Sequence, residues 1–112
     1  MRTLTLFNNV SAASPVTSAE VNFDFQDARF LIQATKSGTD GNPRIIVEES
    51  IRGTLWSPLE NTETWEEYSE QDVDILSIKD NNVMGNYLRV RLEPNGCTTG
   101  TVYLEIGYKT KP

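Results

Sequence analysis

Apolar and polar residues alternate with a period of two along most of this chain, and no stretch keeps the period of an amphipathic helix. Leu4 and Leu6 alternate with Thr3 and Thr5, and Val21, Phe23 and Phe25 alternate with Asn22 and Asp24. Residues 28–35 place Phe30, Ile32 and Ala34 on one face and Leu31 on the other. A turn cluster from Ser37 to Pro43 separates that run from Arg44-Ile45-Ile46-Val47-Glu48-Glu49. Gly38 and Gly41 can supply the positive φ a turn needs, so the two runs are expected to pair as a hairpin. Gly53 predicts a bend between two further strands.

Residues 62–71 are ambiguous: their Glu content favours a short helix, while Thr62, Thr64, Trp65 and Tyr68 suit a strand or loop. The preferred reading is an irregular segment with one short strand. Val73, Ile75, Leu76 and Ile78 then predict a strand that changes face at a bulge, with a turn at Asp80-Asn81-Asn82. Near the end, Leu88, Val90 and Leu92 face one way while Arg89 and Arg91 face the other. Val102, Leu104, Ile106 and Tyr108 make a second such face. Asn95-Gly96 and Gly100 lie between them and predict an antiparallel hairpin, with Glu105 on the same outer face as Arg89 and Arg91. About eight strands with regular turn signals point to an all-β, single-domain antiparallel sandwich or jelly roll spanning residues 1–112. Residues 1–16 are expected to be an N-terminal arm able to add a strand to a neighbour.

Composition narrows the chemistry. At 112 residues and 38% hydrophobic, the chain has material for one modest core. It contains no His, which removes Ser-His triads and most zinc sites. The single Cys97 has no internal disulfide partner and no imidazole to activate it, so it reads as a small loop residue in a protein made in a reducing cytosol. The opening residues are interrupted by Thr and lack a signal-peptide core, and no apolar run is long enough for a membrane helix. With no coherent acid, base and nucleophile set, the expectation is a protein that is not an enzyme and carries no cofactor.

The net charge of −6 disfavours a phosphate backbone as partner. Its distribution is uneven: residues 1–47 balance to zero, residues 48–74 sum to −8 and residues 75–112 to +2. Within 60–74 stand Glu60, Glu63, Glu66, Glu67, Glu70, Asp72 and Asp74 without a base. Glu70, Asp72 and Asp74 have the oxygen chemistry of a Ca²⁺ site but lack the Gly of a tight calcium loop, so no metal is assigned. The run reads instead as a solvated face or as an interface for a basic surface. Tyr87, Arg89, Arg91 and Tyr103 have the composition of a protein interface and are expected on one outer face. Trp56, Trp65 and Tyr68 are the alternative site, a stacking platform for sugar, against which Trp56 also reads as a core or strand-end anchor. Asn9-Val10-Ser11 matches a glycosylation acceptor.

Two resemblances follow. The stretch from Ile45 to Trp56 with the later Tyr87-Leu88-Arg89-Val90-Arg91-Leu92 resembles galactose-binding-like jelly rolls, with Arg52 in place of their acidic turn residue. The chain as a whole, through its length, its lack of His, its single Cys, its Thr- and Asn-rich turns and its closing Asn95 to Tyr108 segment, resembles small β-sandwich virion proteins of tailed bacteriophages, particularly capsid decoration (cement) proteins. That resemblance implies a structural protein at the capsid surface that clamps the major capsid protein, forms a dimer or trimer, and binds neither nucleic acid nor membrane. A carbohydrate-binding module, or a tail or neck component of the virion, is the alternative.

Overall fold

The computed structural model describes residues 1–59, 63–64 and 75–111. Ten strand segments, and no helix, form among them: β1 (Arg2–Ser11), β2 (Val16–Thr17), β3 (Val21–Asn22), β4 (Asp27–Ser37), β5 (Arg44–Ser50), β6 (Ser57–Pro58), β7 (Glu63–Thr64), β8 (Ile75–Val83), β9 (Tyr87–Glu93) and β10 (Thr101–Lys111). One sheet has the order β1-β10-β4-β8, and the other β2-β9-β5-β6, with β3 also on β9 and β7 also on β5. Every pairing is antiparallel. The expected sandwich is present, with six long strands and four two-residue bridges.

Alternation explains the layers. β9 and residues 101–108 of β10 alternate half-buried and buried side chains, so Leu88, Val90 and Leu92 meet Val102, Leu104 and Ile106 in one core. Phe30, Ile32 and Ala34 are buried on β4 as their spacing predicts. On β1, Leu4 does not fill this role, and Leu6 packs against the core half-buried. A register shift between Thr5 and Phe7 rotates the strand, and Phe7 enters the core while Leu4 stays exposed.

Both expected hairpins are replaced by crossovers between sheets. β4 pairs with β10 and β8, whereas β5 pairs with β9, β6 and β7. Likewise β9 and β10 lie in different sheets, so Glu105 stands opposite Gln33 and Thr5 and away from Arg89 and Arg91. Each strand has one apolar face, which is buried equally well by facing its neighbour across the sandwich as by flanking it. The loops decide between these outcomes, because the two crossing connections tie to each other. The Asp40 carboxylate accepts from Thr98 N at 2.8 Å, from Thr99 N at 3.3 Å and from the Thr98 hydroxyl. Asn95 Nδ2 donates to Asn42 O at 3.0 Å, and Thr99 Oγ1 donates to Gly38 O at 2.9 Å. Gly100 must be glycine for the two loops to touch: its φ is +101°, and a Cβ there would lie 2.7 Å from Thr39 N.

Two further expectations change. The turn placed at Asp80-Asn81-Asn82 is instead strand, since β8 continues to Val83 with a register shift between Ala28 and Phe30 of its partner. Residues 2–11 are not a free arm, because β1 pairs along its length with β10 of its own chain. The irregular segment expected over 62–71 lies outside the described residues apart from β7.

Candidate functional site

Two surfaces have the make-up of docking sites. The first is the outer face of β9 and β5. Because Leu88, Val90 and Leu92 point inward, Tyr87, Arg89, Arg91 and Glu93 point outward. On β5, Ile45 and Val47 enter the core, leaving Arg44, Ile46, Glu48 and Ser50 on the outer side. The register sets Glu48 opposite Arg89 and Ile46 opposite Arg91. Glu48 is 6% exposed, and its Oε1 accepts from Arg89 Nε at 2.9 Å and Arg91 Nε at 3.0 Å. Trp56, just ahead of β6, lays its ring against the Arg89 guanidinium at 4.2 Å. Glu93 reaches Arg91 Nη1 only at 3.4 Å, and both side chains are more than a third exposed, so that pair adds little.

The second surface is the end of the sandwich where β3, β5 and β8 finish. Here Phe25 is 89% exposed, Leu55 85%, Met84 80% and Ile51 77%. Ile51, Leu55 and Met84 line a cleft of about 420 Å³ with Ser50, Ser57 and Gly85. Phe25 is held out by its backbone. Asp24 and Phe25 both adopt left-handed φ, at 54° and 60°. Asn22 Oδ1 accepts from Asp24 N at 2.8 Å, and Asn86 Oδ1 accepts from Phe25 N. An aromatic residue in this region is uncommon and strained, and here the strain sustains an apolar ring in water.

Of the residues singled out from sequence, Tyr87, Arg89 and Arg91 do share a face, and Trp56 joins them. Trp56 is half-buried but outside the core, with one ring face taken by Arg89. Tyr103 is corrected: it belongs to β10 in the other sheet, where its hydroxyl lies 3.2 Å from Thr5 Oγ1 and 3.4 Å from Glu105 Oε2. The shared hairpin face expected for it does not form, because β9 and β10 are in different layers. Glu63 falls in β7, paired at Ile45. Glu60, Glu66, Glu67, Glu70, Asp72, Asp74, Trp65 and Tyr68 lie outside the described residues. No group of three or more Cys, Asp and Glu side chains gathers among the described residues in a way that would hold a metal.

Sequence reasoning missed Glu48 as the partner of both arginines, because that needs strand register. It also missed the apolar end, although Ile51, Leu55 and Met84 are large apolar residues beside Gly53, Gly85 and Asn86, in segments otherwise made for turns. Cys97 is buried beside Gly41, and burial pushes its thiol up from the usual range, as suits an inert packing residue.

Asp40 offers a direct check on the crossover lock. Its bonds to Thr98 hold the carboxyl down at about 2, below the ordinary 3.8. A depressed carboxyl favours the folded loop above its unfolded value and loses that contribution as pH falls through the folded one. In an NMR titration the Thr98 amide resonance is therefore expected to move with a midpoint near 2. A midpoint near 3.8 would show the lock to be absent in solution. A scan against protein-family models finds no match for this chain, and a search of curated proteins finds no match either.

Proposed function

We propose that this chain is a non-enzymatic structural protein of a tailed-bacteriophage virion, a decoration protein that docks on the assembled capsid through the apolar end of its sandwich. The observation that carries the docking part is Phe25, 89% exposed and kept in a left-handed conformation by Asn86. Large apolar side chains gain about 1.5–3 kcal/mol each on full burial, so Phe25, Ile51, Leu55 and Met84 together supply the centre of an interface. The virion setting rests on the resemblance of the whole chain to decoration proteins. The partner is then the major capsid protein where neighbouring subunits meet, and a dimer or trimer of this chain multiplies weak contacts on a repeating lattice.

The test is co-sedimentation with intact capsids of the encoding phage over a salt series. Saturable binding is expected, with Phe25→Ser, Leu55→Ser and Met84→Ser each weakening it by about tenfold, the equivalent of one large side chain left unburied. Binding that persists in high salt assigns the contact to the apolar end, and binding lost above physiological salt assigns it to a charged surface, the acidic 60–74 run or the Arg89–Arg91 face. Absence of binding at every ionic strength would remove the capsid reading.

A further inference from the structure

We propose that Arg89 and Arg91, with Trp56, form a clamp for the carboxylates of an acidic protein segment. This site lies on the β9–β5 face, adjoins the apolar end at Trp56 and Tyr87, and does not depend on which assembly the chain joins. Glu48 takes both arginines by their Nε edges through one oxygen, so the two Nε atoms are no farther apart than about 6 Å. That fixes the guanidiniums side by side while leaving the Nη edges available. Arg89 makes no other hydrogen bond among the described residues, and Arg91 adds only the long contact to Glu93. Their side chains are 25% and 36% exposed, enough to meet a ligand and little enough to be held still.

The surroundings are rich in donors. Tyr87 lies two residues before Arg89 on the same face, and neither its hydroxyl nor the Trp56 indole N–H finds a hydrogen-bond partner among the described residues. Arg44 stands opposite Glu93, so three arginines share this face with Glu48 and Glu93, and the Glu20 carboxylate lies at its edge, where Gly53 comes close to both it and the Tyr87 ring. Planar guanidinium forks match carboxylates in pairs of parallel bonds. A nucleic acid would offer phosphates of similar geometry, but its backbone needs a basic surface along its length, and this chain of net charge −6 offers arginines only as a local group. Two adjacent guanidiniums with open Nη edges fit the separate carboxylates of Asp and Glu side chains on a protein.

The probe is a Glu-only hexapeptide, titrated into the full-length protein at low salt while NMR follows the Arg89 and Arg91 Nε–H and Trp56 Nε1–H signals. The chain's own 60–74 run has the same chemistry, so the titration is repeated with Glu63, Glu66, Glu67 and Glu70 replaced by Gln. Saturable shifts at all three side chains are expected in one or both proteins, with no response to a Gln-only hexapeptide. Arg89→Lys and Arg91→Lys keep the charge and a partner for Glu48, and each is expected to weaken binding about tenfold, as for one charge-assisted hydrogen bond. Unchanged affinity in both Lys variants would reduce the site to diffuse electrostatics and overturn the clamp. Silence of the three signals in both proteins would overturn it as well. Inorganic phosphate binding as tightly as the peptide would replace the acidic protein segment with a small-anion ligand.

Discussion

Replacing Phe23 with Ala is expected to destabilise the fold by about 4 kcal/mol, the range for removing a fully buried aromatic side chain. Phe23 is 1% exposed and meets Tyr108 edge to face, with ring centroids 5.3 Å apart and planes at 71°. Such a pair adds about 0.5–1.5 kcal/mol beyond the area it buries. The residue also starts the loop that displays Phe25, because its N–H donates to Asn86 O at 2.9 Å and its carbonyl accepts from Gln26 N at 3.1 Å. Phe25→Gly is the contrasting variant. It removes a ring that is 89% exposed and relieves a φ of 60°. It is expected to stabilise the fold by about 0.5–1 kcal/mol, the left-handed penalty less the added chain entropy of glycine. Denaturant unfolding of both variants checks the pair. A Phe23→Ala loss under about 1 kcal/mol would be too small for a filled core site. A destabilised Phe25→Gly would show that Phe25 supports the fold and is not held out at the fold's expense.

The face each strand buries was largely legible, and the partner each strand takes was not. Leu88, Val90 and Leu92 are buried as their spacing requires, and so are Phe30, Ile32 and Ala34. Period-two alternation says which side of a strand is apolar, but the same apolar side is satisfied by a flanking strand or by one across the sandwich. Gly38, Gly41, Asn95 and Gly96 gave the signals of two hairpin turns, yet both loops cross between layers. The information that decided this lies in Asp40 and Thr98, which are 58 positions apart and meet only after both loops have crossed. The site followed the same logic. Arg89 and Arg91 were readable as an exposed pair, whereas Glu48 was readable only as one of nine acids in residues 48–74. Exposed apolar residues such as Met84 break no periodic pattern, because turns have none.

Glu48→Ala is the other variant expected to have a large effect, a loss of about 2 kcal/mol in folding stability. Removing one member of a buried ion pair typically destabilises by about 3–5 kcal/mol. Arg89 and Arg91 retain 25% and 36% of their exposure, so water reaches their outer edges and reduces that figure. What remains is mainly repulsion, since two guanidiniums no farther apart than about 6 Å lose the one oxygen that lies between them. At an effective dielectric between surface and bulk values that repulsion is roughly 1–3 kcal/mol. Salt separates this cause from simple loss of packing. Screening lengths shrink to about 3 Å at 1 M salt, so added NaCl is expected to restore much of the lost stability in Glu48→Ala. It is expected to restore none of the loss in Phe23→Ala, where no charge is involved. If Glu48→Ala melts equally early at low and high salt, the carboxylate acts by filling space beneath Arg89 and Arg91. The two arginines would then be positioned by Trp56 and the strand register alone, without an electrostatic anchor.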